Sequence, residues 1–236
     1  MNSKIFSKEK CLAIIPARGG SKRIPRKNMK LFLGKPIIQY SIESAVNANL
    51  FDEIMVSTDD IQIAEISKSL GANVPFMRSK ENSNDYAGTS EVVFEVLREY
   101  QNCNILFDYC CCIYPTAPLI KVKNIVAGFN LLKEKNYDSF FPVVRYGHPI
   151  QLSYQIVNDK LVMNKKENLT KRTQDLTPNF HDVGQFYWVK VNKFLGNKKI
   201  FTDNTGTIEL SQLEVQDIDN EDDWKIAEMK YELIKK

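Results

Sequence analysis

A run of basic residues near the start of the chain has the composition of an anion-binding loop. The stretch IIPARGGSKRIPRKN, residues 14–28, contains five lysines and arginines, two adjacent glycines and no carboxylate. The whole chain has 32 basic and 29 acidic residues, so acids outnumber bases outside this stretch. Such a local excess of positive charge indicates one anionic ligand and argues against nucleic acid as a partner.

The spacing within this stretch matches neither of two common phosphate-binding motifs. GGSKRIPRK is neither G-x-G-x-x-G nor G-x-x-x-x-G-K-[ST], which disfavours hydride transfer and ordinary ATP hydrolysis. What remains is a long loop, stiffened by Pro25, whose cations and backbone amides can surround a triphosphate. A solvated basic loop is the alternative, but the position behind an apolar strand favours phosphate binding. The candidate phosphate contacts are Arg18, Gly19, Gly20, Ser21, Lys22 and Lys27.

Two aspartates near the end of the chain have the spacing of a metal site. Asp217 and Asp219 are one residue apart, so an extended segment would place both on one side, about 6.5 to 7 Å apart. They could share one magnesium ion or flank two. Alternatively, the acids from Asp219 to Asp223 could simply favour the amino terminus of the last helix. The spacing alone leaves both interpretations open.

The elements that must position these residues follow from apolar periodicity. Predicted strands cover residues 11–17, 53–58, 73–78, 107–115 and 183–191. Predicted helices cover residues 36–49, 60–71, 89–101, 123–136 and 220–236. This alternation predicts an α/β fold, a doubly wound and mostly parallel sheet with helices on both faces. The basic loop would then follow the first strand, and Asp59 and Asp60 would follow the second as ligands or, more in keeping with the helix behind them, as its cap.

The regular alternation is interrupted between Val144 and Asp182. Residues 145–182 combine hairpin-like strands with polar loops, and the strand pattern returns at VGQFYWVKV. We therefore predict a single domain over residues 1–236 with an insertion lobe at 145–182.

Composition also limits the cellular setting. Cysteines 110 to 112 are consecutive within an apolar run, and the five cysteines match neither a disulfide framework nor zinc-ligand spacing, so we predict reduced thiols buried in a strand. No apolar run approaches the ~20 residues of a membrane helix. The opening MNSKIFSKEK lacks a signal-peptide pattern. The expectation is a soluble cytoplasmic protein with no membrane partner.

Several segments together resemble a known enzyme family. PARGGSKRIPRKN, GKPIIQYSIESA, VSTDD, VPFMR, YPTAPL and QDID occur in the order typical of the CMP-sialic acid synthetase family, the cytidylyltransferases that activate nine-carbon acidic sugars. The resemblance extends over nearly the whole chain. It implies a Rossmann-like nucleotidyltransferase fold and the transfer of CMP from CTP to the sugar, with magnesium as cofactor. It also implies a homodimer in which the insertion lobe of one subunit approaches the cleft of the other.

Within this family the chain is most similar to the branch that acts on pseudaminic acid. CCIYPTAP, KRTQDL and HDVGQFYW resemble segments of that branch, and Tyr114 stands where the sialic acid branch usually has glutamine. Sialic, legionaminic and Kdo-type acids remain alternative acceptors. A non-catalytic nucleotide sensor on the same fold is an alternative of another class, and it would not need Asp217 and Asp219.

The resemblance implies roles for individual residues in nucleotide binding. Arg18, Ser21 and Lys27 would hold the CTP phosphates, and the catalytic roles would fall on Arg18, Lys27 and Asp219. Asn28 would meet the ribose, although a turn or cap role is equally compatible with its position. Arg78 would lie beside the cytosine.

The sugar side of the site is expected to draw on two regions. The predicted contacts are Tyr114, Thr116, Arg172, Gln174, Gln185 and Tyr187. Arg172 is a natural partner for a sugar carboxylate, and Gln185 and Tyr187 are candidates to recognise N-acyl groups. Phe186 and Trp188 are expected to pack in the core, and a structural role is favoured for His181 and Asp182.

Overall fold

Strands and helices alternate along the first half of the chain, as the apolar periodicity predicts. The computed structural model describes residues 9–235. The strands are β1 (Cys11–Pro16), β2 (Leu31–Phe32), β3 (Lys35–Pro36), β4 (Glu53–Ser57), β5 (Tyr109–Ile113), β6 (Ser139–Phe140), β7 (Val143–Arg145), β8 (Tyr154–Val157), β9 (Lys160–Met163), β10 (Phe180–Asp182), β11 (Phe186–Lys190), β12 (Thr205–Gly206) and β13 (Glu209–Leu210). The helices are α1 (Ile37–Ala48), α2 (Ile61–Ser69), α3 (Thr89–Asn102), α4 (Val122–Glu134), α5 (Val191–Asn197) and α6 (Glu221–Lys235).

The main sheet has six strands in the order β12-β6-β11-β5-β1-β4. β1 pairs in parallel with β4 on one side and with β5 on the other, so Ala13 lies between Ile54 and Cys111. β11 is antiparallel to both of its neighbours, while β12 and β6 pair in parallel. The prediction of a mostly parallel, doubly wound α/β sheet is therefore confirmed.

The cysteine strand β5 is buried on both faces. Cys111 belongs to an apolar cluster that includes residues of α1 and α4, whereas Cys110 and Cys112 belong to one that includes residues of α3 and α5. Burial raises the pKa of the Cys112 thiol to about 12, against a smaller opposing effect of Arg78. The free, buried strand thiols agree with the prediction, but Cys103 at the end of α3 is exposed.

A separate apolar cluster connects the basic loop to the carboxyl-terminal helix. It contains Ile24 of the loop, Phe32, Ile218 and Trp224 of α6. The rings of Phe32 and Trp224 meet edge to face with centroids 5.6 Å apart. This cluster brings the basic loop and the residues around Ile218 together.

The insertion forms a lobe on a small three-stranded sheet of order β10-β7-β13. Its first and last segments pair with each other, since Arg145 faces Phe180 in the antiparallel β7–β10 pair. Between them lies the β8–β9 hairpin, whose side chains are largely exposed. The limits 145–182 for the lobe and the single domain over 1–236 stay predictions.

Several short segments differ from the expectations. Residues 73–78 form no strand: Asn73 makes one isolated bridge to Met55, and Pro75, which lacks an N–H, cannot extend a ladder. Helix α5 and the two-residue strands β12 and β13 were not predicted, because segments this short carry no clear periodicity. Within residues 9–235, no helix is long and apolar enough to cross a membrane.

Candidate functional site

The ends of neighbouring strands meet at one cleft. β1, β4 and β5 are parallel, so Arg18, Asp59 and Tyr114, which follow them, leave the sheet at the same edge. Because β11 runs the opposite way, Gly184 and Gln185, which precede it, lie at this edge as well. Ligands of open α/β sheets bind beyond the carboxyl ends of parallel strands. The candidate site is therefore the cleft at this edge.

The basic loop, residues 18–27, has a fixed frame. Ile24 is 1% exposed and anchors the middle of the loop in the cluster with Phe32 and Trp224. The buried Asn28 side chain donates to the carbonyl oxygen of Arg18 at 2.9 Å and closes the loop on itself. This bond is the turn role that the sequence left open for Asn28, and its ribose contact stays a prediction.

Gly19 packs closely against the loop that follows β4. Its N–H donates to Asp59 Oδ1 at 2.9 Å, and a Cβ atom at this position would lie 2.8 Å from Asp60 Oδ2. Asp60 caps α2 by accepting from the N–H groups of Gln62 and Ile63, so the cap role is confirmed. The neighbouring Gly20 has open space around it. Glycine at 19 therefore permits the close approach of the two loops.

The outer cations of the basic loop have carboxylate partners. Arg18 Nη1 donates to Asp85 Oδ1 at 2.7 Å, and Lys22 forms a second ion pair with the same carboxylate. Arg23 Nη2 lies 2.7 Å from Asp219 Oδ1. The loop thus faces Asp85 on one side of the cleft and the carboxyl-terminal aspartates on the other.

Asp217 and Asp219 flank a buried residue. Ile218 is fully buried in the apolar cluster, while Asp217 is exposed and Asp219 half-buried. Partial removal of water raises the pKa of the Asp217 carboxyl, and the negative charge of Asp219 raises it further. The cap of α6 is supplied by Asn220, whose Oδ1 accepts from the N–H groups of Asp222 and Asp223. Asp217 and Asp219 are thus left beside the cleft.

Lys27 links the basic loop to this acidic pair. Its Nζ donates to the carbonyl oxygen of Ile218 at 2.6 Å, midway along the Asp217–Asp219 segment. Burial lowers the pKa of Lys27, and the charges of Asp219 and Asp217 oppose that shift. Lys27 therefore places one positive charge at the meeting point of the anion-binding loop and the two carboxylates.

Arg78 lies on the sheet side of the cleft. It is buried, and its Nε donates to Ser57 Oγ at 2.9 Å. Burial lowers the pKa of its guanidinium, while Asp59 favours the charged form. A cavity of about 170 Å³ opens beside it. This cavity is lined by Pro16, Arg18, Arg78, Ala87, Gly88, Thr89, Val92, Tyr114 and Pro115.

Two tyrosines form the opposite wall. The Tyr114 hydroxyl lies 2.7 Å from Thr89 Oγ1, and the ring of Tyr114 is 5.1 Å from that of Tyr187. Tyr187 donates from its hydroxyl to Asp182 Oδ2 at 2.6 Å. A Cβ atom built on Gly184 would lie 3.6 Å from Asp217 and 3.8 Å from Tyr114. The tyrosine wall is therefore adjacent to the aspartate pair.

The structure separates the remaining predicted sugar contacts. Gln185 is 2% exposed and donates to the carbonyl oxygen of Glu214 at 2.6 Å, so it lies behind the cleft wall. Arg172 makes a two-point ion pair with Asp175 on the lobe surface. Gln174 lines a separate cavity of about 450 Å³ at the base of the lobe. Thr116 is half-buried in the turn after β5. Within one subunit, the cleft is thus formed without Arg172 and Gln174.

Comparison with known proteins identifies the family. The profile of the cytidylyltransferase family matches residues 12–235. A pseudaminic acid cytidylyltransferase of Campylobacter jejuni is 38% identical over 225 residues, which are 95% of this chain and 97% of that protein. The chain belongs to the cytidylyltransferase family. A CMP-N,N'-diacetyllegionaminic acid synthase of Legionella pneumophila is 30% identical over 94% of this chain and 96% of that protein.

Solved structures of other cytidylyltransferases share the fold. The CMP:2-keto-3-deoxy-manno-octonic acid synthetase complexed with CTP superposes with a TM-score of 0.69 at 16% identity, covering 96% of this chain and 99% of that one. The 4-diphosphocytidyl-2C-methyl-D-erythritol synthase of Anaerococcus prevotii gives a TM-score of 0.60 at 12% identity, covering 95% and 99%. These similarities confirm the nucleotidyltransferase fold that the sequence predicts.

The donor set at the acidic pair fits magnesium in this cytidylyltransferase. Within residues 9–235, no group of three or more histidine, cysteine or acidic side chains is arranged to hold a metal ion. Magnesium, however, commonly takes one or two carboxylates and completes its octahedron with water and substrate phosphates. Asp217 and Asp219 could supply two such carboxylates; burial is the main cause of the raised pKa of Asp217, and the negative charge of Asp219 adds to it.

Sequence reasoning missed three residues of the cleft. Thr89 contacts Tyr114, Ser57 holds Arg78, and Asp85 pairs with the basic loop. Ser57 is next to last in the predicted strand 53–58, at the ligand-binding edge, and Thr89 begins the predicted helix 89–101, so their positions carried a weak signal. Asp85 lies in a polar loop without periodicity, and nothing local connects it to a loop 67 residues away.

Proposed function

We propose that this cytidylyltransferase transfers CMP from CTP to the anomeric hydroxyl of a nonulosonic acid, with pseudaminic acid as the acceptor, and releases pyrophosphate. The observation that carries the proposal is 38% identity, over almost the full length of both chains, to a protein named for this reaction. The cleft supports it with a cationic loop on one side and two carboxylates on the other.

The proposed chemistry is an in-line displacement at the α-phosphorus. The bond from the anomeric oxygen to phosphorus forms as the bond from the α-phosphorus to the bridging oxygen breaks, and pyrophosphate takes the electron pair. The hydroxyl proton passes to solvent. The protein contributes positioning and charge neutralisation, which are the main terms in phosphoryl and nucleotidyl transfer.

The basic loop is proposed to hold the leaving pyrophosphate. Arg18, Ser21 and Lys27, with the backbone amides of Gly19 and Gly20, would neutralise the charge that builds up as the bond breaks. The anchored frame of the loop supports this role, because donors already in place need little reorganisation. Magnesium held by Asp217 and Asp219 would polarise the α-phosphoryl group.

The acceptor is proposed to lie against the tyrosine wall. Tyr114 packs against Tyr187, and a Cβ atom at Gly184 would contact both Tyr114 and Asp217. A sugar there would have its anomeric carbon near the metal-binding pair. Legionaminic acid is the second candidate acceptor, since a CMP-N,N'-diacetyllegionaminic acid synthase is 30% identical to this chain.

We further propose that the lobe contributes from a partner subunit. Arg172 and Gln174 lie outside the cleft of their own chain. In a homodimer they would approach the other cleft and contact the sugar carboxylate there. A protein that is only monomeric by light scattering at working concentration would contradict this part of the proposal. We also propose that the enzyme acts in the cytoplasm, as a CTP-consuming biosynthetic enzyme.

One assay tests the reaction and its acceptor. The purified chain is incubated with CTP, magnesium and each of a panel of nonulosonic acids, and pyrophosphate release is measured. We expect release with CTP and pseudaminic acid, little with ATP or GTP, and little with sialic, legionaminic or Kdo-type acids. Activity only with legionaminic acid would show that legionaminic acid, and not pseudaminic acid, is the acceptor. CTP binding without pyrophosphate release in the presence of any of the sugars would favour the non-catalytic sensor.

A further inference from the structure

One carboxylate, that of Asp85, pairs with two cations of the basic loop, Arg18 and Lys22. Asp85 Oδ1 accepts from Arg18 Nη1 at 2.7 Å, and Asp85 Oδ2 pairs with Lys22 Nζ. The same Arg18 nitrogen also donates to the carbonyl oxygen of Asn84 at 3.0 Å. The hydrogen bond from Lys22, and to a smaller extent the one from Arg18, lowers the pKa of Asp85 below its ordinary value. Asp85 is therefore a charged anion seated on two of the predicted phosphate contacts.

The loop that carries Asp85, residues 79–88, has an anchored base and a separate tip. At the base, Glu95 of α3 accepts from the N–H and the hydroxyl of Ser79 at 2.8 and 2.9 Å. At the tip, Asn84 Oδ1 accepts from the N–H groups of Tyr86 and Ala87 at 2.7 and 3.0 Å, which holds a local turn. The tip thus contacts the basic loop as a locally hydrogen-bonded turn, while the base is bound to α3.

The position of this loop relates it to both sides of the cleft. Its first residue follows Arg78, and Gly88 immediately precedes Thr89, the partner of Tyr114. Ala87 and Gly88 line the same cavity as Arg18 and Arg78. Movement of the tip would therefore change the opening of that cavity.

Resting on the proposed function, we propose that Asp85 is an internal counter-anion, which the β- and γ-phosphates of CTP displace from Arg18 and Lys22. A triphosphate presents several negative charges to the same two cations, so it can replace one carboxylate. CMP has only the α-phosphate and leaves the Asp85 contacts in place. Asp85 therefore weakens the hold on CTP and on pyrophosphate without affecting CMP, and it makes the pyrophosphate product easier to release.

Equilibrium binding to the Asp85→Asn variant tests this role. We expect CTP, pyrophosphate and inorganic tripolyphosphate to bind about three- to tenfold more tightly than to the wild type, since each exposed ion pair contributes modestly. CMP should bind within about twofold of the wild type, because its single phosphate leaves the exposed Asp85 ion pairs in place. Calorimetry without acceptor sugar, at fixed magnesium and salt, measures all four ligands.

Glu81→Gln is the matched control, because it removes one negative charge from an exposed position of the same loop. It should change the affinity for tripolyphosphate by less than about twofold, the scale of a screened surface charge. Asp85→Ala repeats the test without a hydrogen-bonding side chain, and thermal melting confirms that each variant is folded.

Three results would overturn the proposal. Weaker tripolyphosphate binding in Asp85→Asn would show that Asp85 positions Arg18 for the phosphates. Unchanged binding would show that the carboxylate does not compete. Equal tightening for CMP would show a general charge effect. Tripolyphosphate tests the role of Asp85 independently of whether CTP is the nucleotide. If the wild type binds tripolyphosphate but not CTP, the proposed function is refuted, and the effect of Asp85 on tripolyphosphate binding can still be measured.

Discussion

Replacement of Lys27 by alanine is the most direct test of how the two halves of the site act together. Lys27 Nζ donates to the Ile218 carbonyl oxygen at 2.6 Å, and its charge acts on both Asp217 and Asp219. The change removes that charge and leaves the neighbouring Arg23–Asp219 ion pair in place. The leaving pyrophosphate would lose one preplaced positive group.

The expected loss is large for turnover and small for stability. Removal of one preorganised electrostatic donor typically lowers kcat by ~10²–10³, or about 2.7–4 kcal/mol of transition-state stabilisation. The free energy of unfolding falls by the contribution of about one hydrogen bond, on the order of 1 kcal/mol. The burial that lowers the pKa of Lys27 shows that its charge is partly desolvated, so removing that charge relieves a cost and offsets part of this loss. We therefore expect kcat to fall at least 100-fold, in line with the loss of one such donor.

The pH dependence of the reaction rate gives an independent test of the role of Lys27. The Asp217 carboxyl has a raised pKa, and the Lys27 charge opposes that rise. Without Lys27 the pKa of Asp217 rises further, so protonation begins at a higher pH. Only the ionised carboxylate binds metal, so activity in the variant should decline at a higher pH on the acid side than in the wild type.

Initial rates of pyrophosphate release against pH measure both effects. Lys30→Ala is the matched control, because Lys30 pairs with Glu221 and lies over the ring of Trp224, and the charges that shift the pKa of Asp217 come from other residues. That variant should keep the acid limb of the wild type. A folded Lys27→Ala protein that turns over at the wild-type rate would refute the assignment of Lys27 to the reaction.

Three further predictions use the same assay with thermal melting. Asp219→Asn should lower turnover by ~10²-fold or more with little change in Tm, by analogy with loss of an electrostatic stabiliser, and a wild-type rate would remove Asp219 from the mechanism. Gly19→Ala should lower Tm, because its Cβ would displace the Asp60 cap of α2 at a cost of about 1 kcal/mol. Gly20→Ala should leave Tm unchanged, since Gly20 has open space around it. Equal Tm values for the two variants would contradict this reason. Tyr187→Phe removes the bond to Asp182 and should raise the KM for the sugar and leave that for CTP unchanged, so an effect on CTP alone would place Tyr187 elsewhere.

The scaffold was predictable because its signals are local. Alternating apolar segments identified β1, β4, β5 and β11, and the helical period identified α1 to α4 and α6. Ile218 is buried between Asp217 and Asp219, while the placement of both carboxylates on one side, which their spacing suggested, stays a prediction. Where the local signal is weak, as at residues 73–78, the strand prediction was wrong, since one bridge at Asn73 is all that forms.

The parts of the site that escaped prediction depend on distant contacts. Gln185 is a polar residue near the start of a predicted strand and was therefore predicted to bind the sugar. Its side chain is instead buried and donates to the Glu214 carbonyl oxygen behind the cleft wall. Asp85 belongs to a loop whose composition only indicates turns, and its role depends on reaching Arg18 across 67 residues of chain. Local residue types indicate which groups can do chemistry, but the partners of each group are set by packing.

Packing also explains why the basic loop and the acidic pair can work as one site. Ile24 and Ile218 are both almost completely buried in the cluster around Phe32, and Trp224 of α6 completes it. The cations on either side of Ile24 and the carboxylates on either side of Ile218 are held from the same apolar base. Because burying such side chains contributes about 1.5–3 kcal/mol each, the cluster can keep like charges of the loop close together at a modest electrostatic cost. Packing of Ile24 and Ile218 in one cluster therefore holds Lys27 near the aspartates, and the attraction between their charges adds to it.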